Sequence, residues 1–236
     1  ATFNLIWATK GLEPGSGKFL HQIVDEELPE HASVAVLSGP SFATEVARGL
    51  PTAVTIASKN LDYAGRVVQL FHCDRFRAYS SKDVVGVELG GSIKNVLAIA
   101  AGISDGLGYG ANARAALITR GLAEIMRLGT RLGGQRETFM GLAGVGDLVL
   151  TCTDNQSRNR RLGLAVGRGT ELQQAVDEIG QAVEGLHTAR ELDALATANQ
   201  VDMPITQQVK RILYDGEEPA DAVHALLTRE PKPEST

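Results

Sequence analysis

The chain has 236 residues, 43% hydrophobic and 22% charged, with a net charge of −5 at pH 7; that is the make-up of one or two globular domains with a sizeable core. A mildly acidic balance without a basic stripe argues against a nucleic-acid-binding role. The two cysteines, Cys73 and Cys152, lie far apart and outside any CxxC or Cys/His cluster, which speaks against a disulfide framework or a zinc site and fits a reducing, cytoplasmic setting.

Leu5 to Thr9 is an apolar run that reads as a buried strand close behind Ala1, so the expectation is that an earlier part of the same domain is missing from the N-terminus. Nothing near the start reads as a signal peptide, and no apolar run of about 18 residues reads as a membrane span. A polar helix is expected over about Lys18 to Leu28, closed by Pro29, followed by a strand at Val34 to Leu37 that ends in Ser38-Gly39-Pro40-Ser41. Phe42 to Arg48 reads as a short helix stopped by Gly49-Leu50-Pro51. Two further strands, Ala53 to Ala57 and Phe76 to Tyr79, flank a helix from Leu61 to Phe71. Strands separated by helices of this length indicate an α/β sheet.

From about Asp83 the period becomes helical. Val84–Gly102, Ala113–Leu132, Leu162–Gly167, Glu171–Ile179, Gly185–Asn199, Thr206–Tyr214 and Ala220–Leu227 read as helices. Several are apolar on more than one face, as in Val96-Leu97-Ala98-Ile99-Ala100-Ala101, which implies burial in a bundle. The Pro- and charge-rich tail from Glu230 to Thr236 is expected to fray. The fold class is therefore α/β plus all-α: a partial α/β domain over residues 1–85, then an all-helical domain over 86–236.

Gly15-Ser16-Gly17-Lys18 tempts as a phosphate-binding P-loop, but Phe19 stands where the Mg²⁺-holding hydroxyl belongs and no glycine has the required spacing. No GxGxxG opens a helix, and no GxSxG elbow supports a hydrolase. Three places are left that carry chemistry. The first is the pair of strand ends around Lys10 and Gly39, where ligands bind in open α/β sheets and where a cation and an unobstructed backbone would meet them; two ordinary strand-to-helix turns are the bland reading. The second is Lys94, which with Asn95 interrupts an otherwise apolar helix. A buried ammonium needs a partner or a function, and desolvation lowers its pKa towards the range of proton transfer; a salt-bridged or snorkelling lysine is the bland reading. The third is Asp147, amid small and apolar residues, followed by Ser157-Arg158-Asn159 at a helix start. Free N–H groups, the positive end of the helix dipole and an Arg fork suit a phosphate; simple capping by Ser157 with solvated arginines is the alternative.

Read together, ATKG (8–11), SGPSFATEV (38–46), ELGGSIKNVLAIAAGISDGLGYGANARAALITRGLAE (88–124), GLAGVGDLVLTCT (141–153), SRNRRLG (157–163) and QAVEG (181–185) resemble the bacterial NAD(P)-dependent glycerol-3-phosphate dehydrogenase family from end to end. The resemblance implies a Rossmann-type nucleotide-binding domain, here only its later part, and a helical substrate domain, with substrate in the cleft between them. It implies reversible reduction of dihydroxyacetone phosphate by NADH or NADPH to sn-glycerol 3-phosphate, a precursor of phospholipids. By matched motif, Lys94 is the proton donor and acceptor; Lys10, Gly39, Ser41, Lys94, Asp147, Ser157, Arg158 and Asn159 bind substrate; Lys10, Ala43, Arg158 and Glu184 touch NAD or NADP. No metal, nucleic-acid partner or membrane insertion is expected, and a homodimer is. The family's GxGxxG turn is expected upstream of Ala1. Two other readings stand beside this one: another two-domain dehydrogenase acting on a hydroxy or sugar acid, which the Ser157-Arg158-Asn159 site disfavours, and a non-catalytic fragment that only binds a phosphorylated ligand or dimerises.

Overall fold

The structure is a computed structural model that describes residues 4–28, 33–230 and 233. Pro29, the first three residues and most of the tail after Glu230 lie outside the described residues, and with them the expectations placed there.

The first part of the chain builds β1 (Asn4–Trp7), α1 (Leu20–Glu27), β2 (Ser33–Ser38), α2 (Ala43–Ala47), β3 (Thr52–Ala57), α3 (Leu61–Phe71) and β4 (Phe76–Ser81). These lie within a few residues of the elements read from pattern. The strands form one sheet in the order β1-β2-β3-β4. β1 and β2 run parallel, as do β3 and β4, but β2 and β3 pair antiparallel, with Val36 opposite Ala57. The short α2 connection returns the chain beside β2 in the opposite sense; a parallel return needs a full crossover. Side chains alternate between faces along each strand. Ala35, Val54, Ile56 and Ala78 pack with Tyr63, Ala64 and Val67 of α3 on one face. Val36 and Ala57 point the other way and meet Val84 and Val87 from the helical part, with Trp7 against them.

The second part builds α4 (Val84–Gly106), α5 (Gly110–Arg131), α6 (Arg136–Phe139), a π-helical turn (Leu142–Gly146), α7 (Asp147–Thr153), α8 (Arg158–Gly167), α9 (Leu172–Ile179), α10 (Glu184–Ala198), α11 (Pro204–Lys210) leading into a second π turn, and α12 (Pro219–Leu227). The Asp83 side chain accepts from Gly86 N at 2.8 Å, capping α4, and its other oxygen accepts from Gln135 N at 2.7 Å. α4 is mostly apolar, buried along nearly its whole length, and is the axis of the bundle. By length and mean hydropathy it is apolar enough to cross a membrane, although charged and polar residues interrupt it, and 94% of that window is buried inside the protein. α8 presses on it most closely where glycine removes the side chain: a Cβ on Gly163 would stand 2.0 Å from the Ile99 carbonyl oxygen. That approach lays the first turn of α8 beside the middle of α4.

Hydrophobic pattern alone begins this helix at Leu162, whereas α8 starts at Arg158 with Ser157 as its cap, where the residue types at Ser157-Arg158-Asn159 placed a helix start. Its first turn, Arg158-Asn159-Arg160-Arg161, carries no apolar period to reveal it. α7 and the π turn before it were not read as helices, because Gly141 to Gly146 is a run of small residues without periodicity.

Glu124 of α5, 1% exposed, ties α5 to α11. Its carboxylate accepts from Ile205 N (2.6 Å), Thr206 N (3.2 Å) and Thr206 Oγ1 (3.0 Å), taking the place of a cap at a helix start where Met203 offers none. Burial pushes its pKa up from 4.5 to about 7, against the pull of those hydrogen bonds. A raised carboxyl value means that the folded state holds more protons than the unfolded state between these pH values. Stability from this group is therefore full below 4.5 and falls as pH rises to about 7. Glu124→Gln is expected to flatten that fall in urea-unfolding free energies measured across the window; an unchanged slope would trace it to other groups.

Candidate active site

Lys94 lies in the middle of α4, 7% exposed, and Asp147, 1% exposed, opens α7. The Lys94 ammonium donates to Asp147 Oδ1 at 2.5 Å and to Thr151 Oγ1 at 3.2 Å. The other carboxylate oxygen, Asp147 Oδ2, takes the Lys10 ammonium at 2.7 Å. One buried carboxylate thus holds two lysines, one from the loop after β1 and one from the central helix. Thr151 stands one helical turn after Asp147 and donates back to its carbonyl at 2.6 Å, which fixes the hydroxyl beside Lys94. Burial is the largest influence on Lys94 and lowers its pKa to about 8; Asp147 pulls it back up, and the positive charge of Lys10 lowers it further. With two ammoniums around one carboxylate, the cluster carries an excess positive charge in a desolvated place. Such a setting favours a group that becomes negative nearby.

Lys10 arrives from the loop after β1, beyond the carboxyl end of that strand, and also donates to the Gly39 carbonyl at 3.1 Å. Gly39 ends β2 with φ of +142°, and a Cβ there would stand 3.1 Å from Val54 Cα, so only glycine brings this carbonyl to Lys10 without strain. The Ser41 hydroxyl donates to the same carbonyl at 3.0 Å. The neighbouring Ser38 hydroxyl is buried and has no hydrogen-bond partner among the described residues. Ala43 is exposed at the first turn of α2.

The second group of candidates joins the first through α4. Asn95, next to Lys94, accepts from Asn159 Nδ2 at 3.0 Å, and Asn159 Oδ1 accepts from Gly185 N at 2.9 Å. Arg158 pairs with Glu184 at 2.7 Å, both about one-third exposed. Ser157 caps α8 by accepting from Arg160 N at 3.2 Å, so its hydroxyl already has a structural task. Gln156, just before it, bonds Thr44 Oγ1 (2.5 Å) and Glu45 (2.9 Å) beside Ala43, joining α2 to the entry of α8.

The fold therefore brings Lys10, Gly39, Ser41, Lys94 and Asp147 into one cluster, and sets Ser157, Arg158, Asn159 and Glu184 beside it; Ala43 lies on the rim formed with Gln156. Two polar contacts of Lys94's surroundings were not among the sequence candidates. Asn95 stood out in the sequence only as an interruption of an apolar helix. Thr151 becomes visible once α7 is known to be helical, because it then shares a face with Asp147.

Comparison with known proteins identifies the family. Residues 83–224 match the family model for the NAD-dependent glycerol-3-phosphate dehydrogenase C-terminus, and residues 1–64 match that for the N-terminus. The chain is 64% identical over 98% of its length to glycerol-3-phosphate dehydrogenase [NAD(P)+] of Thioalkalivibrio sulfidiphilus (strain HL-EbGR7), covering 69% of that protein. It is 56% identical to the protein of the same description from Idiomarina loihiensis, over 97% of the chain and 69% of the relative. Among solved structures, glycerol-3-phosphate dehydrogenase of Coxiella burnetii superposes with a TM-score of 0.92 at 54% identity, covering 96% of this chain and 69% of the other. On the matched models and these relatives, the chain belongs to the NAD-dependent glycerol-3-phosphate dehydrogenase family.

Proposed function

We propose that the Lys94–Asp147–Lys10 cluster is the reaction centre for the NAD(P)H-dependent interconversion of dihydroxyacetone phosphate and sn-glycerol 3-phosphate. The observation that carries this reading is the buried ammonium of Lys94, held by Asp147 Oδ1 at 2.5 Å and lowered to about 8. When a ketone is reduced, negative charge grows on its oxygen as hydride reaches carbon. Lys94 stabilises that oxygen and delivers the proton; in the reverse direction the neutral amine removes it. Asp147 orients Lys94 and fixes Lys10, whose second bond to Gly39 ties the cation to the end of β2. Arg158, in the first turn of α8, grips the remote phosphate, and Asn159 links that turn to Asn95 beside Lys94. Holding the phosphate keeps the carbonyl in a reactive pose.

The residues present fit the nicotinamide end of NAD or NADP. β1 and β2 run parallel and end side by side, and the Ser38 hydroxyl at that end is a buried polar atom without a partner among the described residues. Lys10, Ala43, Arg158 and Glu184 are the residues that would hold the cofactor here, and when bound it supplies the hydride. The same reading divides the chain into residues 1–85 and 86–236, a boundary within the first turn of α4. A homodimer belongs to the same proposal and is supported by large apolar side chains left exposed on the helical part, among them Tyr109, Met140 and Val149.

NAD(P)H oxidation with dihydroxyacetone phosphate, compared with phosphate-free dihydroxyacetone, tests the reading. The phosphorylated ketone is expected to be strongly preferred. Arg158→Ala is expected to raise KM for it by about 10- to 100-fold, the size of one or two lost charge-assisted hydrogen bonds, and to erode the preference. Equal KM in variant and parent would remove Arg158 from the phosphate site.

A further inference from the structure

Trp7, the single tryptophan of the chain, closes β1, and His21 lies in the first turn of α1. Between them runs the loop that carries Lys10. Both residues end on the same buried carboxylate, Glu88 of α4, which is 6% exposed. Glu88 Oε1 accepts from Trp7 Nε1 at 3.1 Å and from His21 N at 3.0 Å. Glu88 Oε2 meets His21 Nδ1, whose ring stacks on Phe19 with centroids 5.6 Å apart. One turn further along α4, Ser92 Oγ donates to the Glu88 carbonyl at 2.7 Å and accepts from Gly11 N, next to Lys10, at 3.1 Å. Glu191 of α10 takes Gly15 N at 3.0 Å. Glu88, Ser92 and Asn95 recur at helical spacing along one stripe of α4. Glu88 and Ser92, one turn apart on α4, thus both face the segment that delivers a cation to Asp147.

We infer that Glu88 is a positioning residue for the reaction: it registers the Trp7–His21 segment on α4 so that the Lys10 ammonium meets Asp147. Its three acceptor contacts hold both ends of the segment, whereas Ser92 and Glu191 hold only points within it. Without the carboxylate, the Trp7 and His21 donors lose their partner inside the protein, and the segment is free to shift to regain hydrogen bonds. Lys10 shifts with it. The charged and titratable groups facing Lys94 are Asp147 and Cys152 from α7 and Lys10 from the loop after β1; burial pushes Cys152 up to about 12 and keeps it neutral. Withdrawal of Lys10 removes a cation that lowers Lys94, so the alkaline limb of the reduction rate moves to higher pH. The inference rests on the reading of Lys94, Asp147 and Lys10 given above.

The test measures kcat and KM for dihydroxyacetone phosphate from pH 6 to 10, alongside Trp7 fluorescence, which reports the Glu88 contact directly. Glu88→Ala is expected to lower kcat/KM by about 10- to 100-fold, the scale of a displacement near 1 Å at a reaction centre, to move the alkaline limb upward and to shift Trp7 emission. Glu88→Gln keeps an acceptor oxygen for Trp7 and is expected to stay within about threefold of the parent. Parent-like kinetics in Glu88→Ala with shifted Trp7 emission overturns the inference, because the contact would then open without consequence. A loss with an unmoved alkaline limb overturns it too, since a merely damaged fold loses active protein equally at every pH. If Glu88→Ala does not fold, His21→Ala carries the same test: a smaller loss with the limb moved upward supports the inference, and parent-like kinetics with shifted emission overturns it. Lys94→Ala in parallel separates the two readings. Turnover surviving that substitution would sink the assignment of the reaction centre itself, while its loss beside a parent-like Glu88→Ala sinks only the positioning role.

Discussion

Lys94→Ala is expected to lower kcat by roughly two to four orders of magnitude, the usual scale of a positioned general acid, with KM for dihydroxyacetone phosphate far less affected. The asymmetry follows from what each group touches. Lys94 acts on the carbonyl oxygen as charge develops there, so its loss falls on the transition state, whereas the phosphate grip at Arg158 is untouched. The variant is expected to fold, because Asp147 keeps Lys10 as its counterion at 2.7 Å. In the parent, reduction requires the protonated ammonium, so its rate falls as pH rises through about 8, while oxidation of glycerol 3-phosphate requires the neutral amine and rises through the same range. Steady-state rates in both directions across pH 6 to 10 check this. Unchanged turnover in Lys94→Ala, or the same pH limb in both directions, would take Lys94 out of the mechanism.

Asp147→Ala is expected to damage stability and catalysis together. The carboxylate is buried and compensates two ammoniums, Lys94 at 2.5 Å and Lys10 at 2.7 Å. Removing one partner of a buried ion pair leaves an uncompensated charge and costs roughly 3–5 kcal/mol; here two cations are left facing each other. The protein escapes part of that cost by releasing a proton from Lys94. Since Asp147 raises the Lys94 pKa and Lys10 lowers it, losing Asp147 moves the value below about 8. The alkaline limb of reduction therefore moves to lower pH, opposite in sign to the shift expected for Glu88→Ala. Asp147→Asn, which retains shape and one acceptor oxygen, is expected to recover much of the stability but not the pH limb. Urea unfolding and pH profiles of both variants decide the matter; a limb that stays in place in Asp147→Asn would show that the carboxylate does not govern Lys94.

Patterns with a strong local signal were legible before any coordinates. Val34 to Leu37 and Ala53 to Ala57 are short β-branched and apolar runs bounded by turn residues, and they are strands. The apolar stretch after Asp83 is the buried central helix. Lys94 announced itself as a cation in that stretch, and the motifs around Lys10, Gly39, Asp147 and Arg158 carried the family resemblance. Where residues are small or polar the signal failed: Gly141 to Gly146 has no period, so the π turn and α7 were missed, and with α7 the i, i+4 relation of Asp147 and Thr151. The antiparallel β2–β3 pair was equally hidden, because a strand's composition does not encode the direction of its neighbour.

Local chemistry in the chain was sufficient for element type, for the family and for a short list of reactive side chains, since propensity, turn residues and motif spacing act over a few residues. Which of those side chains share a hydrogen bond was settled by packing. Lys10 and Asp147 are separated by 137 positions and Trp7 and Glu88 by 81, yet each pair is in contact. Those contacts exist because Gly90 lets the π turn before α7 close on α4, where a Cβ would stand 2.4 Å from the Ala143 carbonyl oxygen, and because α4 packs against the sheet of the first part. The lowered pKa of Lys94 has the same origin: it arises from exclusion of water by the assembled bundle, a property that no single segment possesses.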